Sequence, residues 1–349
     1  MKVLVVKLTS MGDVIHALPA LTDAQLALPD ISVDFLVEES FQEIPAWHPA
    51  VQRVIPVATR RWRKSLLKSH KEISSAISAI RSVDYDAIID IQGLMKSAVL
   101  CRIAKGKRYG YDRNSIREAF ASRLYNKAFP VAKNWHAIDR VRTLFSSALG
   151  YSVPSLPSVH DDDLNYAINF QDKTTLLDHL KLEMHDENYC VFLHGTTWRS
   201  KEWPEKNWRE LLESFSNEQK TIYLPWGNVQ EKQRAERLQK NLNHVEVLPK
   251  MNLSQLGVLI AKAQGVVAVD TGLGHLSAAL GRPTISIYGP TDTTLIGTIG
   301  ENQQHLKVAD VGMGAKVKKS AEFDYTSISA DKVKQSLLNL MAQHKTRNA

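Results

Sequence analysis

The feature that most constrains this chain is a rhythm. Short runs rich in Val, Ile and Leu stand at residues 2–7, 32–38, 87–91, 189–194, 221–225, 245–248, 265–270 and 284–288, each followed by a longer stretch of helical periodicity. Runs of this length and composition read as strands, and their alternation with helices predicts parallel sheets covered on both faces. The rhythm breaks at residues 151–163, where Pro154, Pro157, several serines and Asp161-Asp162-Asp163 replace it. That break reads as the approach to an interdomain linker. The 349 residues suffice for two domains, so the expected fold class is α/β with two Rossmann-like, doubly wound domains facing a central cleft. Residues 331–345 carry Val333, Leu337, Leu340 and Met341 at helical spacing and predict a terminal amphipathic helix.

Several function classes are excluded at this level. The only cysteines, Cys101 and Cys190, are far apart, which argues against a disulfide framework, a structural zinc site and a thioredoxin motif, and favours a reducing cytoplasm. The N-terminal apolar run is too short for a signal peptide, and no stretch approaches the ~18 uncharged residues of a membrane span. An exported or integral protein is therefore not expected. The net charge of +7 fits nucleic acid, an anionic membrane surface or a phosphorylated substrate, and does not choose among them.

Candidate chemistry collects where strands end. After the first, Lys7-Leu8-Thr9-Ser10-Met11-Gly12-Asp13-Val14-Ile15-His16 leads into a helix expected to begin near Asp13. Asp13 has two readings there, a helix cap or a general base that deprotonates an acceptor hydroxyl. Val269-Asp270-Thr271-Gly272-Leu273-Gly274-His275 repeats the strand, glycine loop and helix, and its helix N-terminus suits a diphosphate. It nearly matches the dinucleotide fingerprint, with Ser277 at the third glycine and Asp292 as a candidate ribose ligand. That fingerprint normally opens the first unit of its domain, whereas this loop follows several strands. His194-Gly195-Thr196-Thr197-Trp198-Arg199-Ser200-Lys201 offers hydroxyls and an ammonium to phosphate, or is an ordinary polar loop before a helix near Pro204. Leu224-Pro225-Trp226-Gly227 precedes Glu231, which is either a ribose or base partner or a solvated helix-start carboxylate. Arg60, Arg61, Arg63, Lys64, Lys68 and Lys71 form a cationic run around Trp62, which reads as a solvated face or a nucleic-acid surface, while the interleaved Leu66 and Leu67 suit an anionic lipid surface or a phosphorylated glycolipid.

Taken in order, these blocks resemble the ADP-heptose:lipopolysaccharide heptosyltransferases of glycosyltransferase family 9, most closely the branch that transfers the first heptose. The resemblance spans nearly the whole chain. It rests on residues 7–16, on Val37-Glu38-Glu39 with Ile44-Pro45-Ala46-Trp47-His48, on Val54-Ile55-Pro56-Val57-Ala58 with the run from Arg60, and on Asp90-Ile91-Gln92-Gly93-Leu94-Met95-Lys96-Ser97. In the second half it continues through Leu224-Pro225-Trp226-Gly227, Val247-Leu248-Pro249-Lys250-Met251, residues 270–275 and Tyr288-Gly289-Pro290-Thr291-Asp292.

The resemblance implies a GT-B fold with an acceptor-binding domain over 1–165, an ADP-heptose-binding domain over 166–328, and a helix over 329–349 that packs back on the first domain. It implies that Asp13 is the catalytic base of an inverting transfer to the Kdo of Kdo2-lipid A. Thr196, Thr197, Lys201, Glu231, Asp270, Thr271, Gly272, Leu273, Gly274 and His275 would line the ADP-heptose site. Ser10, Gly12, Arg60, Arg61, Arg63, Lys64, Gln92 and Arg117 would serve the acceptor. It implies no metal, no cofactor and no nucleic acid, and peripheral attachment to the cytoplasmic face of the inner membrane. One departure stands out: the family's loop reads Asp-Thr-Gly-Leu-Ser-His, and Gly274 here removes the serine hydroxyl.

Competing readings are a non-catalytic nucleotide-binding module at a membrane surface, a nicotinamide oxidoreductase resting on Gly272 and Gly274, and a transferase that adds a later core heptose. An inverting transfer further predicts that the cleft closes when both substrates bind.

Overall fold

Val, Ile and Leu dominate the central strands because parallel sheets in doubly wound proteins are covered on both faces. In the computed structural model, which describes residues 1–160, 164–170, 188–308 and 322–348, this gives two compact units, Met1–Asn169 and Phe170–Ala349. The first holds β1 (Lys2–Val6), β2 (Ser32–Glu38), β3 (Val51–Val57), β4 (Asp84–Asp90), β5 (Lys105–Tyr111) and β6 (Lys127–Phe129), in the order β3-β2-β1-β4-β5-β6. The second holds β7 (Tyr189–Leu193), β8 (Thr221–Leu224), β9 (Val245–Val247), β10 (Gly265–Val269), β11 (Thr284–Tyr288) and β12 (Gln303–Lys307), in the order β12-β11-β10-β7-β8-β9. Every neighbouring pair is parallel. Numbered from its own first strand, each sheet runs 3-2-1-4-5-6, the doubly wound order with a switch point between its first and fourth strands.

Four strands go beyond the sequence expectation: β3, β5, β6 and β12. All lie in the outer part of their sheets. β3 contains Pro56, which cannot donate to a ladder, and β5 begins Lys105-Gly106-Lys107 with all three residues exposed. Pairing with an inner neighbour, rather than intrinsic preference, orders such segments.

The boundary between units falls four residues later than expected, because Tyr166 is buried and the Asn169 amide donates to the Trp47 carbonyl at 2.9 Å. Asp161, Asp162 and Asp163 lie outside the described residues. The terminal helix, Ala330–Asn348, belongs to the second unit. Val333, Leu337 and Met341 are buried with Trp203, Trp208 and Ile285 in the core of the second unit. Gly265 permits this approach: a Cβ there would lie 2.8 Å from the Met341 sulfur and 2.9 Å from Leu337.

Candidate active site

At a switch point the connections leave to opposite sides of the sheet, opening a crevice at the carboxyl ends of two adjacent strands. In the first unit these are β1 and β4. The helix after β1 is Met11–Ile15, starting two residues before the expected position, with Ser10 as its N-cap and Asp13 as its third residue. Asp13 Oδ2 accepts from the Ser10 amide at 2.8 Å and from the Ser10 hydroxyl at 2.6 Å, while Lys7 Nζ stands 3.3 Å from Oδ1. The Lys7 side chain is buried and that of Asp13 is 40% exposed. Burial pushes the Asp13 carboxyl up, but the Lys7 charge and the Ser10 hydrogen bonds outweigh it and hold the group below the usual carboxylate range. Asp13 is therefore ionised at neutral pH. A carboxylate offers about four acceptor sites, so a half-exposed one with these three contacts can still take a substrate hydroxyl. Capping therefore leaves the carboxylate free for the general-base reading as well. Gly12 is buried beneath the same turn.

From β4 comes a brace for that turn. Gln92 Oε1 accepts from the amides of Leu8 and Thr9, both at 3.0 Å, tying the two loops across the crevice. Gln92 is itself placed by Asp90, which is fully buried and accepts from the amides of Gln92 (2.9 Å) and Gly93 (3.1 Å) and the hydroxyls of Ser97 and Tyr125 (both 2.8 Å). Burial pushes the Asp90 carboxyl up against these four donors. Gly93, at φ +67°, supplies the left-handed turn. Gln92, expected at the acceptor, thus has its side-chain oxygen engaged by the backbone.

The structure divides the basic run. Glu38, at the end of β2, accepts from the Thr59 hydroxyl (2.8 Å) and the Arg60 amide (3.1 Å), which fixes the start of the short helix Thr59–Trp62. Arg61 pairs with Glu39 at 2.9 Å and Glu72 at 2.8 Å, and Trp62 Nε1 donates to Glu72 at 3.0 Å. Among the described residues no ion pair engages Arg60, Arg63 or Lys64, which are exposed, as is Arg117. Lys96 joins this group. Its ammonium is lowered by desolvation, opposed by Glu38 and reinforced by the repulsion of Arg60 and Arg63. The sequence reading quoted Lys96 within a motif without assigning it to the site.

In the second unit the switch point lies between β7 and β10. Asp270 follows β10, and its Oδ2 pairs with Lys201 Nζ at 2.6 Å and accepts from the Thr291 hydroxyl. The Asp270 carbonyl accepts from Thr196 Oγ1 at 3.1 Å, which links the β7 and β10 loops as Gln92 links those of the first unit. Thr291, after β11, was not foreseen as a site residue; its motif alone carried no sign of contact with Asp270. Lys201 also lies 4.8 Å over the Trp198 ring. Thr271 is the N-cap of the helix Gly272–Ala279, whose first residues, Gly272 and Leu273, present amides at a helix N-terminus suited to anions. His275 is buried in this helix and Thr197 is exposed. At Gly274 a Cβ would lie 3.2 Å from the Ala268 Cβ, so a side chain here faces strand β10.

Glu231 is the third residue of the helix Val229–Gln239, which the Asn228 side chain caps by accepting from the Glu231 amide at 3.0 Å. Glu231 Oε2 accepts from the Gly227 amide at 2.7 Å, and its carboxylate carbon would lie 2.7 Å from a Cβ at Gly195. Gly195 therefore brings Glu231 to the β7 loop. Asp292 accepts from the Thr294 amide at 3.0 Å as N-cap of the helix Thr293–Ile296. Among the described residues no group of three His, Cys, Asp or Glu is arranged to hold a metal.

The model of glycosyltransferase family 9 (heptosyltransferase) matches residues 73–326 of the chain. The chain belongs to glycosyltransferase family 9. This family 9 glycosyltransferase is 49% identical over 309 residues to lipopolysaccharide heptosyltransferase 1 of Pseudomonas aeruginosa, covering 88% of this chain and 83% of that one. It is similar to the structure of Escherichia coli heptosyltransferase WaaC with ADP, at 44% identity and a TM-score of 0.84, over 97% of this chain and 100% of that one. The same E. coli protein with ADP-2-deoxy-2-fluoro heptose matches with a TM-score of 0.81 at 44% identity, over 97% and 99% of the two chains. The two parallel doubly wound sheets of this glycosyltransferase are those of the GT-B fold, and the oxidoreductase reading of Gly272 and Gly274 is set aside.

Proposed function

We propose that this glycosyltransferase is a lipopolysaccharide heptosyltransferase I, moving L-glycero-D-manno-heptose from ADP-heptose to the Kdo of Kdo2-lipid A with inversion. The observation that carries the mechanism is the ionised, half-exposed Asp13 at the carboxyl end of β1. Asp13 takes the proton of the acceptor hydroxyl as its oxygen attacks the anomeric carbon, the bond from that carbon to the diphosphate oxygen breaks, and ADP leaves. Negative charge grows on the diphosphate as it departs. Lys201, the hydroxyls of Thr196 and Thr197 and the amides at Gly272 and Leu273 are the groups of the second unit that stabilise it. Lys201 exchanges Asp270 for the phosphate in this step, which frees Asp270 to accept from a sugar hydroxyl. Arg60, Arg63 and Lys64 bind the anionic groups of the acceptor. Because the acceptor is a lipid, the enzyme works at the cytoplasmic face of the inner membrane as a peripheral protein; among the described residues no helix is long and apolar enough to cross a membrane.

The test is ADP release from ADP-heptose with and without deacylated Kdo2-lipid A, for the natural chain and for Asp13→Asn. Acceptor-dependent release that collapses in the variant supports the reading. Release only with an already heptosylated core moves the enzyme to a later transfer, and release with neither acceptor overturns the proposal.

A further inference from the structure

Charge is spread very unevenly over this chain. Residues 95–129 hold nine lysines and arginines against two acids, so a tenth of the sequence carries an excess equal to the whole chain's net +7. Both acids in this stretch serve the backbone. Glu118 accepts from the Met95 amide at 2.7 Å, and Asp112 from the Ser115 amide at 2.8 Å.

The fold turns this excess into a surface. The helix Met95–Ile103 packs against the 3-10 helix Ala119–Leu124, the two forming one layer beside β4 and β5. Lys96, Val99 and Arg102, spaced three apart, are exposed on the first, and Phe120 and Arg123 on the second. Val99 is 48% exposed and Phe120 65%, and the Arg123 guanidinium lies 4.4 Å from the Phe120 ring centre. Lys105 and Lys107 continue the exposed cations at the start of β5.

We infer that the outer face of this layer, centred on Val99, Arg102, Phe120 and Arg123, is where the enzyme docks on an anionic phospholipid bilayer. Cations near such a surface contribute about 1 kcal/mol each, and apolar side chains among them enter the headgroup boundary. Exposed Val99 and Phe120, on two helices that pack together, suit hydrocarbon, whereas a surface for single-stranded nucleic acid is built on aromatic stacking faces. Lys96 feels Arg60 and Arg63, so this surface borders the proposed acceptor-binding cations. Docking here presents that region to a lipid-borne acceptor. The inference thereby rests on the proposed transferase reading for its purpose, though not for its measurement.

The experiment is sedimentation of the full chain with phosphatidylethanolamine vesicles with and without phosphatidylglycerol, for the natural protein, Arg102→Glu/Arg123→Glu and Val99→Ser/Phe120→Ser. Binding that requires phosphatidylglycerol and falls about tenfold or more in the charge-reversed pair, and several-fold in the apolar pair, is expected. Both variants should retain transfer to deacylated acceptor, which reports an intact fold, and lose transfer to acceptor embedded in vesicles. Undiminished vesicle binding in both pairs overturns the inference, as does natural protein that ignores phosphatidylglycerol. So does an RNA oligonucleotide bound through these same residues while vesicles are left alone. Absence of transfer to soluble acceptor by the natural protein would count against the proposed function only; vesicle binding would then decide the surface by itself.

Discussion

The two halves share one strand order and one device, a lysine and an aspartate at the switch point, yet the two pairs differ in spacing and exposure. In the first unit Lys7 and Asp13 come from the loop after β1 and the helix it leads into, 3.3 Å apart, with the carboxylate half-exposed. In the second, Lys201 and Asp270 come from different loops, 2.6 Å apart, and both are largely buried. A loose, exposed pair leaves lone pairs for an incoming proton. A close, desolvated pair stores a cation that an anion can claim, beside the amides of a helix N-terminus. The strand order thus supplies the crevice, and the side chains entering it set what each can hold: in the proposed mechanism, a base in the first unit and a diphosphate in the second.

The sharpest way to break this comparison is to remove one function and leave the other. Asp13→Asn should reduce transfer by about 10²–10⁴-fold, the usual worth of a general base, while ADP affinity measured by calorimetry changes by less than about twofold. Equal losses in transfer and ADP binding would mean that Asp13 serves the donor. Next in size, Lys201→Met removes a charge-assisted contact worth roughly 1.5–3 kcal/mol, so ADP affinity should fall about 10- to 100-fold. An unchanged affinity would leave Lys201 a purely structural partner of Asp270.

Acid should affect both units alike. His48, which accepts from the Ala50 amide at Nδ1, and His194, packed near Trp208, are each buried, and burial lowers both imidazoles to about 4. Since the folded values lie below the unfolded 6.5, stability is full above pH 6.5 and is lost as pH falls from 6.5 towards 4, by roughly 3 kcal/mol for each histidine. Thermal midpoints should therefore drop steadily across that window. A midpoint that is flat from pH 7 to 5 would contradict the neutral, buried state of both rings.

Much of this was legible in the sequence, and the rest was hidden for identifiable reasons. Central strands such as β1 and β10 announce themselves as continuous apolar runs because both faces are covered. β5, with two glycines and three cations, does not, and the basic surface beginning just before it passed unnoticed beside the denser run at Arg60. Loops at strand ends located Asp13, Asp270, Thr196 and Lys201. Their partners were less visible, because the contacts of Gln92 with Leu8 and of Thr291 with Asp270 join segments 84 and 21 residues apart. Arg61 looked like its neighbours; only the fold brings Glu39 and Glu72 to it.

Gln92 sharpens the comparison from the positioning side. Removing its carbonyl with Gln92→Leu leaves the Leu8 and Thr9 amides without their acceptor and loosens the turn that holds Asp13. The expected result is a fall in kcat of about tenfold, in line with roughly 1–2 kcal/mol for an abandoned backbone donor, with the acceptor KM little changed. Gln92→Glu keeps the accepting oxygen and should recover part of that loss. A raised acceptor KM at constant kcat would instead return Gln92 to direct contact with the acceptor.

The smallest effect is expected at Gly274. Within a helix serine is favoured over glycine by up to about 0.5 kcal/mol, here at the third residue of Gly272–Ala279, but the new Cβ would sit 3.2 Å from the Ala268 Cβ and would need a shift of a few tenths of an ångström in the helix. These two contributions oppose each other, so Gly274→Ser should move the thermal midpoint by no more than a few degrees. Because the side chain points at β10 rather than towards the amides of Gly272 and Leu273, ADP affinity should stay within about twofold. A clear gain in affinity would mean that the serine hydroxyl reaches the diphosphate after all. The anion site of the second unit would then depend on a side chain that this sequence has given up, and not on backbone amides and Lys201 alone.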